Sequence, residues 1–121
     1  MQNIILTHQE IVHKTKRISY QIFETFANEE EVVIAGIANS GFKFAQKIAT
    51  ELERISDLKV ILCEVQINKQ NPQEPITTSL TKEMYSNKGL VLVDDVLNSG
   101  TTLIYGVKHF LDVPLRKFKT A

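Results

Sequence analysis

The chain has 121 residues, the size of one domain, and its 43% of apolar residues exclude wholesale disorder. Its 14 basic and 14 acidic side chains balance, so no overall charge favours nucleic acid or an anionic membrane. No apolar run approaches the roughly 20 residues that span a bilayer, and a single cysteine excludes an internal disulfide. The chain start lacks the features of a signal peptide, so we expect a cytoplasmic protein.

Hydrophobic periodicity predicts a helix and then a strand in the first part of the chain. Thr7 and Glu10 have the spacing of a capping box, in which two side chains satisfy backbone N–H groups at a helix start. Apolar residues on one face then predict a helix over about residues 8–27. After a charged turn, a continuous apolar run predicts a buried strand over residues 32–37.

A short polar turn follows this strand and opens a second helix. In that turn, Ser40 is suited to cap the helix, and Gly41 permits another backbone to approach closely. Apolar spacing predicts the helix over residues 41–54 and a further strand over residues 59–66. Because Cys63 lies within the apolar run of that strand, we interpret it as a buried strand residue and not as a nucleophile.

The next segment, residues 68–88, is a long connection. It is polar and contains two prolines, although residues 76–80 are compatible with a short irregular strand and residues 87–89 with a turn. A connection of this length inside a small domain is usually functional or mobile. We therefore expect it to be a flexible loop.

The most informative segment is residues 90–102 (LVLVDDVLNSGTT). Its apolar start predicts a buried strand over residues 90–94, too short for a helix. Asp94 and Asp95 stand where this strand would end. A loop of small residues containing Gly100 follows, and apolar residues at helical spacing come after it.

This order of strand, acidic pair, small-residue loop and helix suits a sugar phosphate. A loop that opens a helix presents free backbone N–H groups, and the helix dipole adds positive potential for a phosphate. Carboxylates accept hydrogen bonds from sugar hydroxyls and bind hard cations such as Mg²⁺. Open α/β sheets bind ligands at the carboxyl ends of their strands, where these groups would lie.

Residues 90–102 resemble the phosphoribosyl pyrophosphate loop of the type I phosphoribosyltransferases, with four apolar residues, two acidic residues, two apolar residues and a small or polar run. Residues 32–45 (VVIAGIANSGFKFA) are similar to the pyrophosphate loop of that family. The resemblance implies an α/β protein with three α/β/α layers and a parallel-sheet core. In that fold the strands before the two loops are neighbours with crossovers in opposite directions, and residues 68–88 correspond to a flexible loop or hood over the substrate.

The resemblance also implies an activity, the transfer of a phosphoribosyl group from Mg²⁺-bound phosphoribosyl pyrophosphate to a nucleobase with release of pyrophosphate. Asp94 and Asp95 would be the catalytic residues, holding the ribose hydroxyls directly or through Mg²⁺. The 5′-phosphate would be cradled by Asn98, Ser99, Gly100, Thr101 and Thr102. The pyrophosphate would face Ala38, Asn39, Ser40 and Gly41.

Two departures from the family pattern bear on the acceptor and on the leaving group. Asn98 stands where purine-using members often carry Asp as a candidate base, so we expect a pyrimidine acceptor. The turn at Asn39 and Ser40 is neutral where many members carry a cation, so backbone N–H groups and Mg²⁺ would hold the pyrophosphate. Within the family, the chain is most similar to the branch of bifunctional pyrimidine-operon regulators and uracil phosphoribosyltransferases, on residues 4–7, 63–67 and 91–97.

Two other functions stay open at this point. One is a nucleotide-sensing regulator of the same fold that binds RNA or a protein partner with little or no catalysis. Asn98 and the neutral turn at Asn39 and Ser40 favour this alternative, whereas the zero net charge disfavours RNA. A salt-dependent RNA affinity would distinguish it from an enzyme. The other is a response-regulator receiver, although receivers place their paired acids near the chain start. We interpret the basic residues Arg116, Lys117 and Lys119 as a solvated segment.

The pattern stops before the remaining strands of the family. Only three core strands are predicted, over residues 32–37, 59–66 and 90–94, and Pro114 interrupts the pattern after the last helix. The last strand is apolar throughout, and at a sheet edge it would invite association. We therefore expect residues 1–121 to be a single, C-terminally truncated domain that lacks the last part of the sheet, or a homo-oligomer in which another copy covers this edge.

Overall fold

The computed structural model describes residues 8–38, 40–68, 71, 75–94 and 101–121, without the side chains of residues 8 and 101–103. The helices and strands in this part of the chain are α1 (His8–Phe26), β1 (Glu31–Ile37), α2 (Ser40–Ile55), β2 (Lys59–Gln66), β3 (Thr77–Thr78), α3 (Lys82–Tyr85), β4 (Gly89–Val93), α4 (Thr101–Phe110) and β5 (Lys117–Thr120). None of these helices is long and apolar enough to cross a membrane.

The strands form one mixed sheet in the order β3-β2-β1-β4-β5. β1 is parallel to β2 and to β4, β5 is parallel to β4, and only the two-residue β3 is antiparallel to its neighbour. The predicted parallel core is confirmed, as are the three predicted strands to within one residue at each end. The proposed cap at Thr7 lies outside the described residues.

Two apolar cores, one on each face of the sheet, create the three predicted layers. On the first face, α1 and α2 pack against alternate strand residues such as Val91 and Val93. On the second face, Leu90 and Leu92 of the same strand pack with residues from α3 and α4. Because side chains alternate across a strand, the apolar run of β4 contributes to both cores.

β1 and β4 are neighbours, as the family resemblance predicts, with Val33 opposite Leu90 and Gly36 opposite Val93. The chain leaves β1 through α2 toward β2 on one side, and it leaves β4 through α4 toward β5 on the other. The crossovers therefore run in opposite directions. The carboxyl ends of β1 and β4 flank a topological switch point, where open α/β sheets bind ligands.

The expectation that β4 lies at an open edge is wrong, because β5 pairs with it from Gly89 opposite Lys117 to Leu92 opposite Thr120. No second copy is needed to cover this edge. The basic segment predicted to be solvated forms this strand. Lys117 Nζ donates a hydrogen bond to the Thr25 carbonyl oxygen at 2.9 Å. Whether the chain is a truncated form stays a prediction.

The sequence did not predict β5, because this strand is short and mainly polar and the residues that it contacts are distant in sequence. Arg116 makes a two-point ion pair with Glu29, with Nε 2.6 Å from Oε1 and Nη2 3.2 Å from Oε2. Phe118 packs against the second core as the one apolar side chain of the strand. Neither contact produces a local hydrophobic pattern.

Replacing Phe110 by Ala tests the second core. Phe110 is fully buried at the end of α4, with its ring 5.1 Å from the Tyr85 ring in an edge-to-face arrangement. We expect Phe110→Ala to lower the free energy of unfolding by about 3–5 kcal/mol, because it leaves a cavity. The matched control is Leu111→Ala, at the next position and 60% exposed, with an expected change within about 0.5 kcal/mol. Urea denaturation measures both, and equal losses would contradict this packing.

Candidate functional site

The turn after β1 is described at Ala38 and, from Ser40, as the start of α2. Ala38 is buried, and its N–H donates a hydrogen bond to the Val65 carbonyl oxygen at 2.8 Å. α2 begins at the exposed Ser40, one residue before its predicted start. The N–H groups of the first turn of a helix have no partner within the helix, so this end of α2 suits an anion.

The close approach of β1 and α2 depends on Gly36. A Cβ at this position would lie 2.5 Å from the Phe42 Cα atom and 2.7 Å from the Gly41 carbonyl oxygen. Real Cβ atoms essentially never come this close, so only glycine lets the first turn of α2 rest on the strand. Sequence reasoning did not identify this residue, although a glycine within an apolar strand is a signal of close backbone approach.

Gly41 brings the turn after β1 against the end of β4. A Cβ at Gly41 would lie 3.0 Å from the Val93 carbonyl oxygen and 3.1 Å from the Asp94 Cα atom. The two segments selected from the sequence therefore touch through their backbones. Among the predicted site residues that the structure describes, Gly41 and Asp94 come from different segments and are in contact.

Asp94 directly follows β4 and is only 6% exposed. Aspartate is rarely this buried, because removing a carboxylate from water is costly. The end of the chain runs beside this residue. The Ala121 N–H donates to the Leu92 carbonyl oxygen at 2.9 Å, and the Asp94 N–H lies 3.5 Å from the Ala121 carbonyl oxygen, at the outer limit of a hydrogen bond. The acidic strand end thus lies between α2 and the end of β5.

Several of the predicted ligand contacts lie outside the described residues, namely Asn39, Asp95, Asn98, Ser99 and Gly100. Thr101 and Thr102 are described as the first two backbone positions of α4. Since α4 connects β4 to β5, its amino end follows the carboxyl end of β4. Two helices therefore begin after the two strands that flank the switch point.

The long connection is anchored on β2 in its second half. β3 confirms the short strand predicted within residues 76–80. Beside it, the Ser79 N–H donates to the Glu64 carbonyl oxygen at 2.9 Å, and the Glu64 N–H donates to Ser79 Oγ at 2.8 Å. Sequence reasoning missed α3, a single turn whose buried Tyr85 packs on Phe110. That the connection moves as a hood stays a prediction.

Among the residues that the structure describes, burial shifts the pKa of three side chains in or beside the second core, Cys63, Tyr85 and His109. Cys63 is fully buried, as predicted for a strand residue, and burial raises the pKa of its thiol. Burial also raises the pKa of Tyr85. For His109, burial and, less strongly, the charge of Lys82 lower the pKa, while Asp112 opposes the shift. The first two groups stay protonated at neutral pH, and a protonated thiol is a poor nucleophile.

The lowered pKa of His109 predicts a dependence of stability on pH. Below the ordinary pKa of about 6.5, the unfolded chain binds a proton that the folded chain resists. The stabilising contribution is complete above that value and is lost as the pH falls toward the folded-state pKa. We expect the unfolding temperature to decrease as the pH is lowered from about 7.5 to about 5.5, and we expect a smaller decrease in His109→Gln.

The matched control for this measurement is His13→Gln, because His13 is exposed on α1. Differential scanning calorimetry across the same pH range compares the three proteins. The control should keep the slope of the parent protein. A slope that is the same in His109→Gln and in the parent would contradict the assigned role of burial.

The open, mainly parallel sheet, with a helix-opening turn and a buried carboxylate at its switch point, is the arrangement that the resemblance to the phosphoribosyltransferases implies. The chain matches the model of the phosphoribosyl transferase domain over residues 1–121, and it is a member of that family. This class comprises glycosyltransferases that transfer a pentosyl group.

Curated relatives support the same membership. The chain is 27% identical over 122 residues to the "Bifunctional protein PyrR" of Pediococcus pentosaceus, with 93% of this chain and 69% of the relative covered. It is 30% identical over 108 residues to the "Bifunctional protein PyrR" of Clostridium novyi, with 84% of this chain and 61% of the relative covered. The resemblance to the bifunctional branch of the family is confirmed. The chain spans about three fifths to two thirds of the length of these relatives.

Solved structures share the fold at lower identity. A hypoxanthine-guanine phosphoribosyltransferase from Bacillus anthracis superposes with a TM-score of 0.76 at 18% identity, covering 100% of this chain and 69% of that one. A hypoxanthine phosphoribosyltransferase from Trypanosoma cruzi, solved with the product IMP, gives a TM-score of 0.79 at 16% identity and covers 97% and 59%. At these identities the likeness concerns the fold and not the substrate.

Proposed function

We propose that this chain binds Mg²⁺-phosphoribosyl pyrophosphate at the switch point and transfers its phosphoribosyl group to a nucleobase, with a pyrimidine favoured. The observation that carries the proposal is the contact between Gly41 and Asp94. It joins a helix-opening turn, suited to one phosphate group, to an acidic strand end suited to sugar hydroxyls. A ligand that carries both groups can then occupy both segments at once.

The two ends of the ligand are assigned to different segments. The pyrophosphate faces the turn from Ala38 to Gly41, where the N–H groups of the first turn of α2 and the dipole of that helix favour an anion. The ribose hydroxyls lie at Asp94 and, by the resemblance, at Asp95. The 5′-phosphate is assigned to residues 98–102, which lead into the amino end of α4.

The residues at this edge fit Mg²⁺. No cluster of three or more His, Cys, Asp or Glu side chains able to bind a metal occurs in the described part of the chain. Mg²⁺ commonly binds through one or two carboxylates together with substrate phosphates, keeping several waters. Asp94, with Asp95 by the resemblance, would supply such carboxylates. Held there with the substrate, Mg²⁺ would supply positive charge that offsets the negative charge of the pyrophosphate.

In the proposed reaction, the bond between the anomeric carbon and the pyrophosphate oxygen breaks, and a bond to a nitrogen of the base forms. Positive charge develops on the ribose, as in glycoside cleavage. The chain contributes by positioning: the backbone turn orients the leaving group while the buried Asp94 orients the sugar. The proton of the base passes to water and not to Asn98, because an amide does not take a proton at neutral pH.

Removing the two carboxylate charges tests the binding site. We expect the Asp94→Asn, Asp95→Asn double variant to bind Mg²⁺-phosphoribosyl pyrophosphate at least about 10-fold more weakly, because hydrogen bonds to charged groups are lost. Titration calorimetry with and without Mg²⁺ measures the change. Asp57→Asn is the matched control, since Asp57 is exposed before the amino end of β2. Equal affinity in the parent and the double variant would refute the site.

A panel of acceptor bases tests the proposed specificity. Uracil, orotate, hypoxanthine, guanine and adenine are each supplied with Mg²⁺-phosphoribosyl pyrophosphate, and nucleotide formation is followed by chromatography. We expect transfer to a pyrimidine. In Asn98→Ala we expect a higher KM for phosphoribosyl pyrophosphate, because residue 98 is assigned to the 5′-phosphate, but an unchanged pH dependence of kcat, because Asn98 supplies no base. Strong purine transfer that survives Asn98→Ala would overturn the acceptor assignment. Binding without transfer to any base would favour the regulatory alternative.

A further inference from the structure

We propose that Gly41 is a positioning residue. It sets the distance between the pyrophosphate turn (residues 38–41) and the acidic strand end (Asp94, directly after β4), so that one ligand can span both. This inference rests on the proposed function and deepens it. Gly41 acts through its missing side chain, since the backbone atoms of Val93 and Asp94 occupy the space that a Cβ would need. Its effect is therefore on the relative placement of two binding segments.

The atoms that face Gly41 cannot rotate away. The Val93 carbonyl oxygen at 3.0 Å, the Asp94 Cα at 3.1 Å and the Asp94 carbonyl carbon at 3.3 Å all belong to the main chain. These distances to an added Cβ are shorter than ordinary van der Waals contact by a few tenths of an ångström. An added methyl group is therefore accommodated by a shift of α2 relative to β4, and not by a change of rotamer.

The neighbouring elements limit how α2 and β4 can move relative to each other. The first turn of α2 already rests on Gly36 of β1, which leaves no room for it to move closer to that strand. β4 is paired with a strand on each side, and the Ala121 N–H donates a hydrogen bond to the Leu92 carbonyl oxygen at 2.9 Å, so β4 is fixed within the sheet. Each binding segment thus keeps its own backbone hydrogen bonds. What changes is the spacing between the two segments.

A ligand that spans both segments is sensitive to this spacing, whereas a fragment that occupies only one is not. The two phosphate-bearing ends of phosphoribosyl pyrophosphate are joined by one ribose ring, which limits how far they can adjust. Small misplacements of binding groups carry large penalties for a ligand held at several points. Ribose 5-phosphate and pyrophosphate each use one of the two segments.

The experiment compares these three ligands, all in the presence of Mg²⁺, with the parent protein and Gly41→Ala by titration calorimetry. We expect the alanine variant to bind phosphoribosyl pyrophosphate at least about 10-fold more weakly. Its affinities for ribose 5-phosphate and for pyrophosphate should change less than about 3-fold. This difference between spanning and fragment ligands would not arise from a general loss of folded protein, which weakens all three equally.

Gly106→Ala is the matched control. Gly106 is a buried glycine of α4. The nearest atoms to its added Cβ are the ends of the Leu92, Ile37 and Ile67 side chains, at 2.9, 3.5 and 3.7 Å, and such side-chain ends can move without shifting the backbone of either binding segment. This control should leave the ratio of the three affinities unchanged, whatever its unfolding temperature.

Three results would overturn the role of Gly41. They are equal losses for all three ligands, unchanged binding of phosphoribosyl pyrophosphate, and a Gly41→Ala chain that does not fold while Gly106→Ala does. A parent protein that binds none of the three ligands would instead contradict the proposed function.

Discussion

The burial of β1 and β4 on both faces is the constraint from which the rest of the structure follows. Every residue of β4 is buried, and so are all residues of β1 after Glu31. Strands that are apolar on both faces need helices on both sides of the sheet. Because β-α-β crossovers are right-handed, α2 and α4 on opposite faces carry the chain in opposite directions from these two strands. The switch point between β1 and β4 is thus a consequence of two-sided burial.

The candidate site depends on how closely the backbone of α2 approaches β1 and the end of β4. Two turns at a switch point are near each other in any such fold, but here a pair of glycines removes the atoms that would keep the chain segments apart. Gly36 lets α2 rest on β1, and Gly41 lets the same helix touch the end of β4. The buried carboxylate of Asp94 is thereby held beside the start of a helix. The chemistry of the edge depends on main-chain contacts as much as on side chains.

The two ends of the sheet have different roles. At the amino-terminal end, Lys88 Nζ lies 2.8 Å from Glu31 Oε1, and Arg116 pairs with Glu29. Arg116 also lowers the pKa of Glu29 through its hydrogen bonds to that carboxylate. Partly exposed ion pairs of this kind add little to stability, but they tie the starts of β1, β4 and β5 in register. The carboxyl-terminal end of the sheet carries the turn after β1 and the starts of α2 and α4, which form the candidate site.

The sequence by itself determined the parallel core, the helices on its two faces and the segments that meet at the switch point. Long apolar runs and helical spacing are local signals, and residues 90–102 carry a pattern specific enough to indicate the family. The sequence of residues 76–80 was also compatible with a short strand, and β3 lies within these residues.

Only the tertiary structure decided how β4 is covered and how the two segments touch. β5 is held by Glu29 and Thr25, residues from the first quarter of the chain, so its polar sequence gives no local sign of a strand. The single turn α3 is likewise held by the packing of Tyr85 on Phe110. The contact of Gly41 with Asp94 arises from three-dimensional packing, and a sequence can only show that a glycine would permit it. Such long-range contacts depend on neighbours that no local window contains.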